Sequence, residues 1–319
     1  MKRSRICLGL LSAAALLLSI ASPGLAQRAS TAPRQQTRSS AGGPVVARVD
    51  GEPITQADIE WMLKSRRVPE RLWDKLREPF LEQLIDMRLI QKFLAARRIQ
   101  ANEKELEEQV ARIRRTLARG EDAEKTLAEL GYDEASLREE LALPLAWQSY
   151  LALTVNDEQI RDFYQKRKAE FDGTQVRASQ ILLKVSPEDP PAKLEAAKQR
   201  MAGLRADILA KRISFAEAAR MYSEAPSAEN DGDVGYFPRR GKMPEDLSRH
   251  AFALEVGELS EPFTSPYGVH LVLVTDRKPG DLSLEDARGE VLNQLSHEIW
   301  EKTVRDLRSR ARIERANAS

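Results

Sequence analysis

The spacing of apolar residues changes sharply at about Gly173, and this change limits the folds that the chain can adopt. Before Gly173, apolar residues recur every three or four positions, which is the spacing of helices that bury one face. After it, Val176 to Val185 has the composition and length of a strand, and Pro190 with Pro191 breaks the chain before helical spacing resumes. The sequence therefore predicts an α+β protein in which a helical part is followed by a mixed part.

The helical part is predicted to begin with a short strand and to continue as a series of helices. Val45 to Val49 favours a strand and runs into Asp50-Gly51, a turn pair. Helical spacing then marks the segments Pro79 to Leu94, Asn102 to Leu117, Asp133 to Leu145 and Asn156 to Phe171. Pro79 suits a first helical turn, and Pro144 predicts a kink or an end.

The mixed part is predicted to contain both helices and strands. After its first strand, the pattern indicates helices at Lys193 to Lys211, Ser214 to Tyr222 and Pro244 to Phe252, a Gly-rich loop up to Gly235, and a closing strand at Val269 to Val274. From Asp281 to about Arg312 the pattern returns to a charged amphipathic helix. Helical segments therefore flank the mixed part on both sides.

The N-terminus has the features of a secretion signal. A basic start precedes an apolar stretch from Ile6 to Ile20, and small residues follow around Ala26. This order predicts a cleaved signal peptide at residues 1–26, since the apolar stretch is shorter than the roughly 20 residues that span a bilayer. No stable membrane span is expected after cleavage, and a retained anchor is the alternative. Residues 27–44 are rich in small and polar residues and are predicted to be a disordered linker.

Composition and charge argue against several classes of function. Lys and Arg number 50 against 49 Asp and Glu, so no nucleic-acid partner is expected. The only cysteine, Cys7, lies in the signal segment, so the mature chain is expected to have no disulfide, no thiolate metal site and no cysteine nucleophile. His250, His270 and His297 lack the spacing of metal ligands. Neither a metal nor another cofactor is expected.

Several short motifs follow one another between Val176 and Lys278. They are Ala178-Ser179-Gln180-Ile181-Leu182, Phe215-Ala216-Glu217-Ala218-Ala219 with Tyr222-Ser223, Asp231-Gly232-Asp233-Val234-Gly235-Tyr236-Phe237, Gly241-Lys242-Met243, Ala251-Phe252-Ala253-Leu254 with Val256-Gly257-Glu258, and Gly268-Val269-His270-Leu271. In this order they resemble the parvulin, or PpiC-type, family of peptidyl-prolyl cis-trans isomerases, also called rotamases. The resemblance covers about a third of the chain.

The flanking segments extend this resemblance to a group of chaperones. Val49-Asp50-Gly51-Glu52-Pro53-Ile54-Thr55, followed by helices, the parvulin motifs and a last helix, resembles the SurA and PrsA type of extracytoplasmic chaperone. The resemblance implies a helical, SurA-N-like client-binding domain at residues 45–172 and an inserted parvulin domain at 173–280 with a βαααββ-like fold and a four-stranded sheet. It also implies a C-terminal helix at 281–319 that packs on the helical domain.

The parvulin resemblance further implies a pocket for a proline ring. Met243, Leu247 and Phe252 occupy its substrate-binding positions, and Leu247 stands where relatives often have Phe, which predicts a roomier pocket. The alternative is that all three are ordinary core residues of a small helix. The pocket is favoured because Met243 lies within a family motif and not only at helical spacing.

The resemblance places Gln180 and His270 in a polar floor beside the pocket. The hydroxyl of Ser265 can join a polar network with them, so these three residues are the candidate catalytic residues. His270 matches the second of two histidines in the family's site, whereas Gln180 stands in the position of the first. Glutamine can donate and accept hydrogen bonds but cannot titrate as imidazole does. A network of these three residues is therefore expected, and a structural role for His270, holding strand ends together, is the alternative.

Several other positions near the expected site depart from the family or need a structural explanation. Ala225 stands where many relatives have an acidic or thiol residue, and Glu224 or Asp231 could replace that group only by turning inward. Gly232 and Gly235 are expected to serve turn geometry and not phosphate binding, because no helix start with Lys-Ser or Lys-Thr follows them. The resemblance therefore implies a weakened catalytic site.

Two functions are compatible with these residues. One is an exported peptidyl-prolyl isomerase that speeds the folding of unfolded or nascent exported polypeptides containing proline, in the periplasm or another extracytoplasmic compartment. The other is a holdase chaperone whose degenerate parvulin domain serves as a scaffold or a peptide-docking platform. Because the pocket is better preserved than the polar floor, we expect a folding factor with modest isomerase activity. A homodimer is compatible with the sequence.

Overall fold

The computed structural model of this 319-residue chain describes residues 43–117, 123–129, 132–186 and 188–316. It divides into two compact units, one formed by the described residues of Met1–Asn156 and Leu295–Ser319, the other by those of Asp157–Gln294. The predicted signal peptide 1–26, with Cys7, and the predicted linker up to its last two residues lie outside the described residues. Within the described ranges, no helix is both long enough and apolar enough to cross a membrane.

The first unit contains a small antiparallel sheet. Strands β1 (Val45–Val49) and β2 (Glu52–Thr55) form a hairpin through Asp50 and Gly51, whose φ angles of +50° and +86° fit the turn that an Asp-Gly pair favours. A third strand, β7 (Ile313–Arg315), comes from the other end of the chain and pairs with β1, which gives the order β2-β1-β7. Sequence pattern predicts β1 but contains no signal for β7.

Helices form the rest of the first unit. They are α1 (Gln56–Ser65), α2 (Trp73–Ala96), α3 (Glu103–Leu117), α4 (Ala123–Glu129), α5 (Glu134–Thr154) and the last part of α11 (Leu284–Arg308). Capping boxes begin two of them: Thr55 and Asp58 exchange hydrogen bonds at the start of α1, and Asp133 and Ser136 do so at the start of α5. These polar residues explain where the two helices begin.

Two prolines lie inside helices. Pro79 was expected in a first turn, but α2 already begins at Trp73, whose indole N–H donates to the carbonyl oxygen of Val68 at 2.8 Å and whose ring packs against the core. Pro144 lies within α5 among buried leucines and does not end the helix. In both places, burial of neighbouring apolar residues offsets the hydrogen bond that proline cannot make.

The last part of α11 packs against α2 and α5. Arg308 donates to Oε2 of Glu82 at 2.8 Å and to the carbonyl oxygen of the same residue at 3.0 Å. Trp147 donates its indole N–H to Ser296 at 3.1 Å, and its ring meets that of Trp300 edge to face with centroids 5.0 Å apart. The C-terminal segment therefore contributes to the core of the first unit.

The second unit is built on a four-stranded antiparallel sheet. Its elements are α6 (Asp157–Lys166), α7 (Lys168–Phe171), β3 (Gln175–Lys184), α8 (Pro191–Leu209), α9 (Phe215–Tyr222), β4 (Asp233–Pro238), α10 (Glu245–Phe252), β5 (Phe263–Ser265), β6 (Gly268–Lys278) and the start of α11. The strand order is β4-β3-β6-β5. The predicted α+β class with a four-stranded sheet is confirmed. From β3 onward the order is strand, two helices (α8 and α9), β4, the helix α10, and then β5 and β6, so the expected βαααββ-like order gains a strand, β4, before its third helix. The domain boundaries expected at residues 172 and 280 stay predictions.

Both faces of the central strands β3 and β6 are buried. The cluster against α8 and α9 takes from them Ile181, Leu183, Val269 and Leu271. The cluster on the α10 side takes Val176, Ala178, Val272 and Val274. Because successive strand residues point to opposite faces, this alternation fixes the side of the sheet on which each candidate site residue lies.

Gly268, the first residue of β6, cannot accept a side chain without a shift of the backbone. Its φ is +138°, and a Cβ there would overlap the carbonyl oxygen of Leu183 on β3. We expect Gly268→Ala to lower the free energy of unfolding of this unit by about 2 kcal/mol or more, because β6 must move away from β3. Since all four tryptophans, Trp61, Trp73, Trp147 and Trp300, lie in the other unit, exchange of the β3 amide protons measures the effect.

Gly289→Ala on α11 is the matched control. No atom lies within 4 Å of its Cβ position, and alanine favours a helix by about 1 kcal/mol over glycine, so this variant should be at least as stable as the parent. Equal protection of the β3 amides in the two variants would contradict the prediction.

Candidate active site

Met243, Leu247 and Phe252, the predicted substrate-binding residues, belong to one apolar cluster on the α10 side of the sheet. Leu247 is only 2% exposed, whereas Met243 and Phe252 keep part of their surface accessible. Phe237 of β4 and Phe263 of β5 also belong to this cluster. The second unit therefore has a partly open apolar site, and its role as a proline pocket stays a prediction.

Local contacts fix both ends of α10. Pro244 precedes the helix with φ −52° and ψ 141°, an extended conformation that separates Met243 from the helix. At the other end, Arg277 of β6 donates to the carbonyl oxygens of Phe252 (3.3 Å) and Leu254 (2.6 Å), groups that a helix end leaves without partners. These contacts at the two ends of α10 fix the backbone beside Met243 and at Phe252, and so help to set where the two accessible side chains lie.

The predicted catalytic residues His270 and Ser265 are in contact at the hairpin of β5 and β6. Ser265 Oγ lies 2.6 Å from His270 Nε2 and accepts the backbone N–H of Tyr267 at 3.0 Å. His270 is 3% exposed. Its other ring nitrogen, Nδ1, has no hydrogen-bond partner among the residues that the structure describes. Ser265 and His270 are therefore joined through Nε2, while Nδ1 of the imidazole has no partner in the described part of the chain.

Gln180, the third predicted catalytic residue, shares a sheet face with His270 but is not bonded to it. The register pairs Gln180 with Val272 and His270 with Leu182, so the two are diagonal neighbours, which in a sheet lie roughly 7 Å apart. Nδ1 of His270 has no partner in the described part of the chain, and Nε2 contacts Ser265. The expected network therefore joins His270 to Ser265 and does not include Gln180.

The Gly-rich loop packs closely on the backbone of Gln180. The carbonyl oxygen of Gly232 accepts the N–H of Gln180 at 2.8 Å. Gly232 has φ +77°, and a Cβ there would overlap the carbonyl oxygen of Gln180. The glycine therefore serves the close approach of two backbone segments.

The acidic residues that could replace the family's acidic or thiol group do not turn inward. The Glu224 carboxylate accepts the backbone N–H of Lys184. Asp231 pairs with Arg220, and about half of each of these two side chains is exposed. Ala225, at the family position itself, is buried. Neither Glu224 nor Asp231 therefore takes the place of the missing group.

A stack of three rings, for which the sequence contains no signal, lies beside the His270–Ser265 pair. The rings of His250 and Phe263 are nearly parallel (7°) with centroids 3.7 Å apart, and those of Phe263 and His270 are nearly parallel (9°) at 5.2 Å. Nδ1 of His250 lies 2.7 Å from the carbonyl oxygen of Asp246, one helical turn earlier. In the sequence His250 is one of three scattered histidines, and no local pattern predicts that a residue of α10 packs on a residue of β5.

Known proteins similar to this chain identify its family. A family model described as a rotamase, the PPIC-type PPIase domain, matches residues 181–276. Foldase protein PrsA of Halalkalibacterium halodurans is 31% identical over 284 residues, which cover 85% of this chain and 76% of that protein. The chain belongs to the PrsA foldase family. It therefore carries a parvulin-type peptidyl-prolyl isomerase domain, and the assignment made from the motifs is confirmed.

Two further similarities extend over most of this PrsA-family chain. A putative peptidyl-prolyl cis-trans isomerase of Helicobacter pylori is 28% identical over 328 residues, which cover 98% of this chain and 99% of that protein. The crystal structure of PrsA from Bacillus anthracis has a TM-score of 0.44 at 20% identity, with 71% of this chain and 94% of that chain covered.

Burial keeps the imidazole of His270 neutral at neutral pH in this PrsA-family protein. It lowers the pKa of His270 to about 4, because the charged ring would lose its solvation; the Asp246 carboxylate opposes this shift and His250 adds to it. Burial also lowers the pKa of His250. The His270–Ser265 pair can therefore form a hydrogen bond without a charge on the imidazole.

The low pKa of His270 makes the stability of the second unit depend on pH. In the unfolded chain the pKa returns to about 6.5, so between about pH 4 and 6.5 the unfolded state binds more protons and stability falls as the pH falls. We expect His270 to account for a loss of up to about 3 kcal/mol between pH 7 and pH 4. Amide exchange of β3 and β6 across this range measures the loss.

His270→Gln, which cannot titrate, should lose correspondingly less stability on acidification. His297→Gln, at a histidine whose side chain is 47% exposed, is the control and should follow the parent. If His270→Gln and the parent lose the same stability over this range, the prediction is wrong.

Proposed function

We propose that this protein is an extracytoplasmic folding factor that catalyses cis/trans isomerisation of X-Pro bonds in unfolded or nascent exported polypeptides. One observation carries the proposal: accessible Met243 and Phe252 share an apolar cluster with buried Leu247, beside the hydrogen-bonded pair of His270 and Ser265. This arrangement lies in a unit that matches the PPIC-type PPIase family.

The reaction needs binding geometry and no covalent step. Rotation about an X-Pro bond crosses a barrier of roughly 18–20 kcal/mol because the amide loses its resonance. In the proposed mechanism the proline ring packs on Met243 and Phe252, and the polar edge of the site, His270 with Ser265 and Gln180, faces the amide. Binding the twisted amide more tightly than either planar form lowers the barrier.

The location and the clients are part of the same proposal. The N-terminal sequence has the order of a signal peptide, and the similar protein of Halalkalibacterium halodurans is named a foldase. Export places the chain among polypeptides that fold outside the cytoplasm. Clients that contain proline are expected to be its substrates.

A holdase without catalysis is the second candidate. It is favoured by Gln180 in place of the family's first histidine, by Ala225 in place of an acid or thiol, and by the unused Nδ1 of His270. In that case the apolar site docks extended peptides, or the unit serves as a scaffold. Bond rotation would then not be accelerated.

Filling the apolar site tests the isomerase. Met243→Trp should lower kcat/KM for an X-Pro peptide at least about tenfold, because the larger side chain occupies the space of the proline ring. Exchange NMR of the peptide measures the rate. Met221→Trp is the matched control: Met221 is 65% exposed on α9, which packs on the opposite sheet face, so activity should equal that of the parent.

The same variants separate the two candidates. If the parent does not accelerate exchange above the rate in buffer but suppresses aggregation of an unfolded client, the isomerase proposal is wrong and the holdase proposal is supported. If Met243→Trp loses both properties together while Met221→Trp keeps them, the apolar site serves catalysis and docking alike.

A further inference from the structure

Met243 lies on the segment that joins β4 to α10, residues 239–244, here called the pocket loop. The pocket loop has no regular secondary structure, and Gly241 within it has φ +85°. A segment of this kind has many conformations open to it unless side-chain contacts hold it. In the pocket loop, Lys242 donates to the carbonyl oxygen of Tyr236 on the preceding strand, and two consecutive arginines, Arg239 and Arg240, make the contacts to helices.

Arg239 anchors the pocket loop to the start of α10. Its Nη1 and Nη2 donate to Oε2 (2.9 Å) and Oε1 (2.6 Å) of Glu245, the first residue of the helix. Its Nε lies 3.5 Å from Oε2 of Glu170 in α7. Arg239 is only 8% exposed, so replacing it by a small residue would leave a cavity beside the pocket loop and remove its links to Glu245 and Glu170. Arg239 is therefore part of the fold and a poor probe of function.

Arg240 ties the pocket loop to α7 and α11. Its Nη1 donates to the carbonyl oxygen of Glu170 at 3.2 Å and to Oε1 of Glu290 at 3.0 Å, and its Nη2 donates to Oε2 of Glu170 at 3.3 Å. The guanidinium also lies over the ring of Phe171 at 4.7 Å. A single exposed ion pair contributes little, but several partners around one planar guanidinium that is 26% exposed fix its orientation.

The partners of Arg240 lie outside the segment that the rotamase model matches, residues 181–276. Glu170 and Phe171 end α7, which precedes the sheet, and Glu290 lies on α11, which follows it. Only Gly241 and Lys242 separate Arg240 from Met243. The contact therefore connects the flanking helices of the second unit to the apolar site through a very short stretch of chain.

We propose that Arg240, held by Glu170 and Glu290, is a positioning residue that keeps Met243 in place for a prolyl peptide. The flanking helices α7 and α11 thereby belong to the substrate site. For its effect on catalysis, this inference rests on the proposed isomerase function. Without Arg240 the pocket loop is less ordered before binding, so the peptide binds more weakly while the rate at saturation changes less.

The experiment compares Arg240→Ala, Arg240→Lys and Glu290→Gln in the full mature chain. The probe is a short peptide with one X-Pro bond, and exchange NMR gives both its dissociation constant and its exchange rate at saturation. Arg240→Ala should raise the dissociation constant about threefold to tenfold, with a smaller change in the saturated rate. Arg240→Lys, which keeps the charge, should recover part of the loss, and Glu290→Gln should show a smaller effect in the same direction.

The second readout is the methyl resonance of Met243 in protein labelled at its methionines and assigned with Met243→Leu. It should shift or broaden in Arg240→Ala before any peptide is added. Arg288→Ala is the matched control, since Arg288 lies on α11, as Glu290 does, and its guanidinium donates to Asp157 on α6 at 2.6 Å. This variant should keep both the resonance and the peptide affinity of the parent.

The outcomes separate this inference from the proposed function. If the Met243 resonance and the dissociation constant of Arg240→Ala are the same as those of Arg288→Ala, the inference is overturned. If the parent itself does not accelerate exchange, the isomerase proposal fails, but the resonance and the affinity still decide whether Arg240 positions Met243. Glu290→Gln removes only the charge of one partner of Arg240, so it tests the same link if Arg240→Ala is poorly folded.

Discussion

The pairing of β3 with β6 is the interaction on which the rest of the second unit depends. The strands are paired from Gln175 opposite Lys278 to Lys184 opposite Gly268, and apolar clusters cover both of their faces. A slip of one residue would move every buried side chain to the wrong face, so burial on both sides holds a single register. That register puts His270 on the α10 side. The apolar site and His270 therefore lie on the same face of the sheet, because the alternation of buried residues along β6 places His270 on the side of Val272 and Val274.

Elements with a local signal could be predicted closely from the sequence, and elements without one could not. The helix expected from Ser214 to Tyr222 is α9, whose start is set by a capping box between Ser214 and Glu217. The strand expected from Val176 to Val185 is β3 within one residue at each end. By contrast, β5 and β7 have three residues each, too few to show a period, and β7 pairs with the opposite end of the described chain. Such pairing depends on the assembled unit and leaves no pattern in the nearby sequence.

The same division applies to the candidate site. Motif context placed Met243, Leu247 and Phe252 together, and they do share a cluster; the contact of His270 with Ser265 also follows from a short hairpin. The stack of His250 on Phe263 and the contacts of the pocket loop join elements that are distant along the chain. The spacing of residues within one helix or strand cannot predict that the loop after β4 contacts both α7 and α11. These contacts are therefore visible only in the folded structure. They are also the contacts that fix where the predicted residues lie.

Gln180, which stands in place of the family's first histidine, is expected to lower isomerase activity less than its position in the family implies. The planar amide draws its barrier from a charge-separated resonance form, so an apolar surrounding favours the twisted amide relative to water. Burial already keeps His270 neutral, with a pKa of about 4, and a second buried imidazole would also tend toward the neutral form. A glutamine in place of that imidazole therefore removes no charge from the site. Under the proposed mechanism, the order of the pocket loop around Met243 then matters more for activity than the titration of any group in the site.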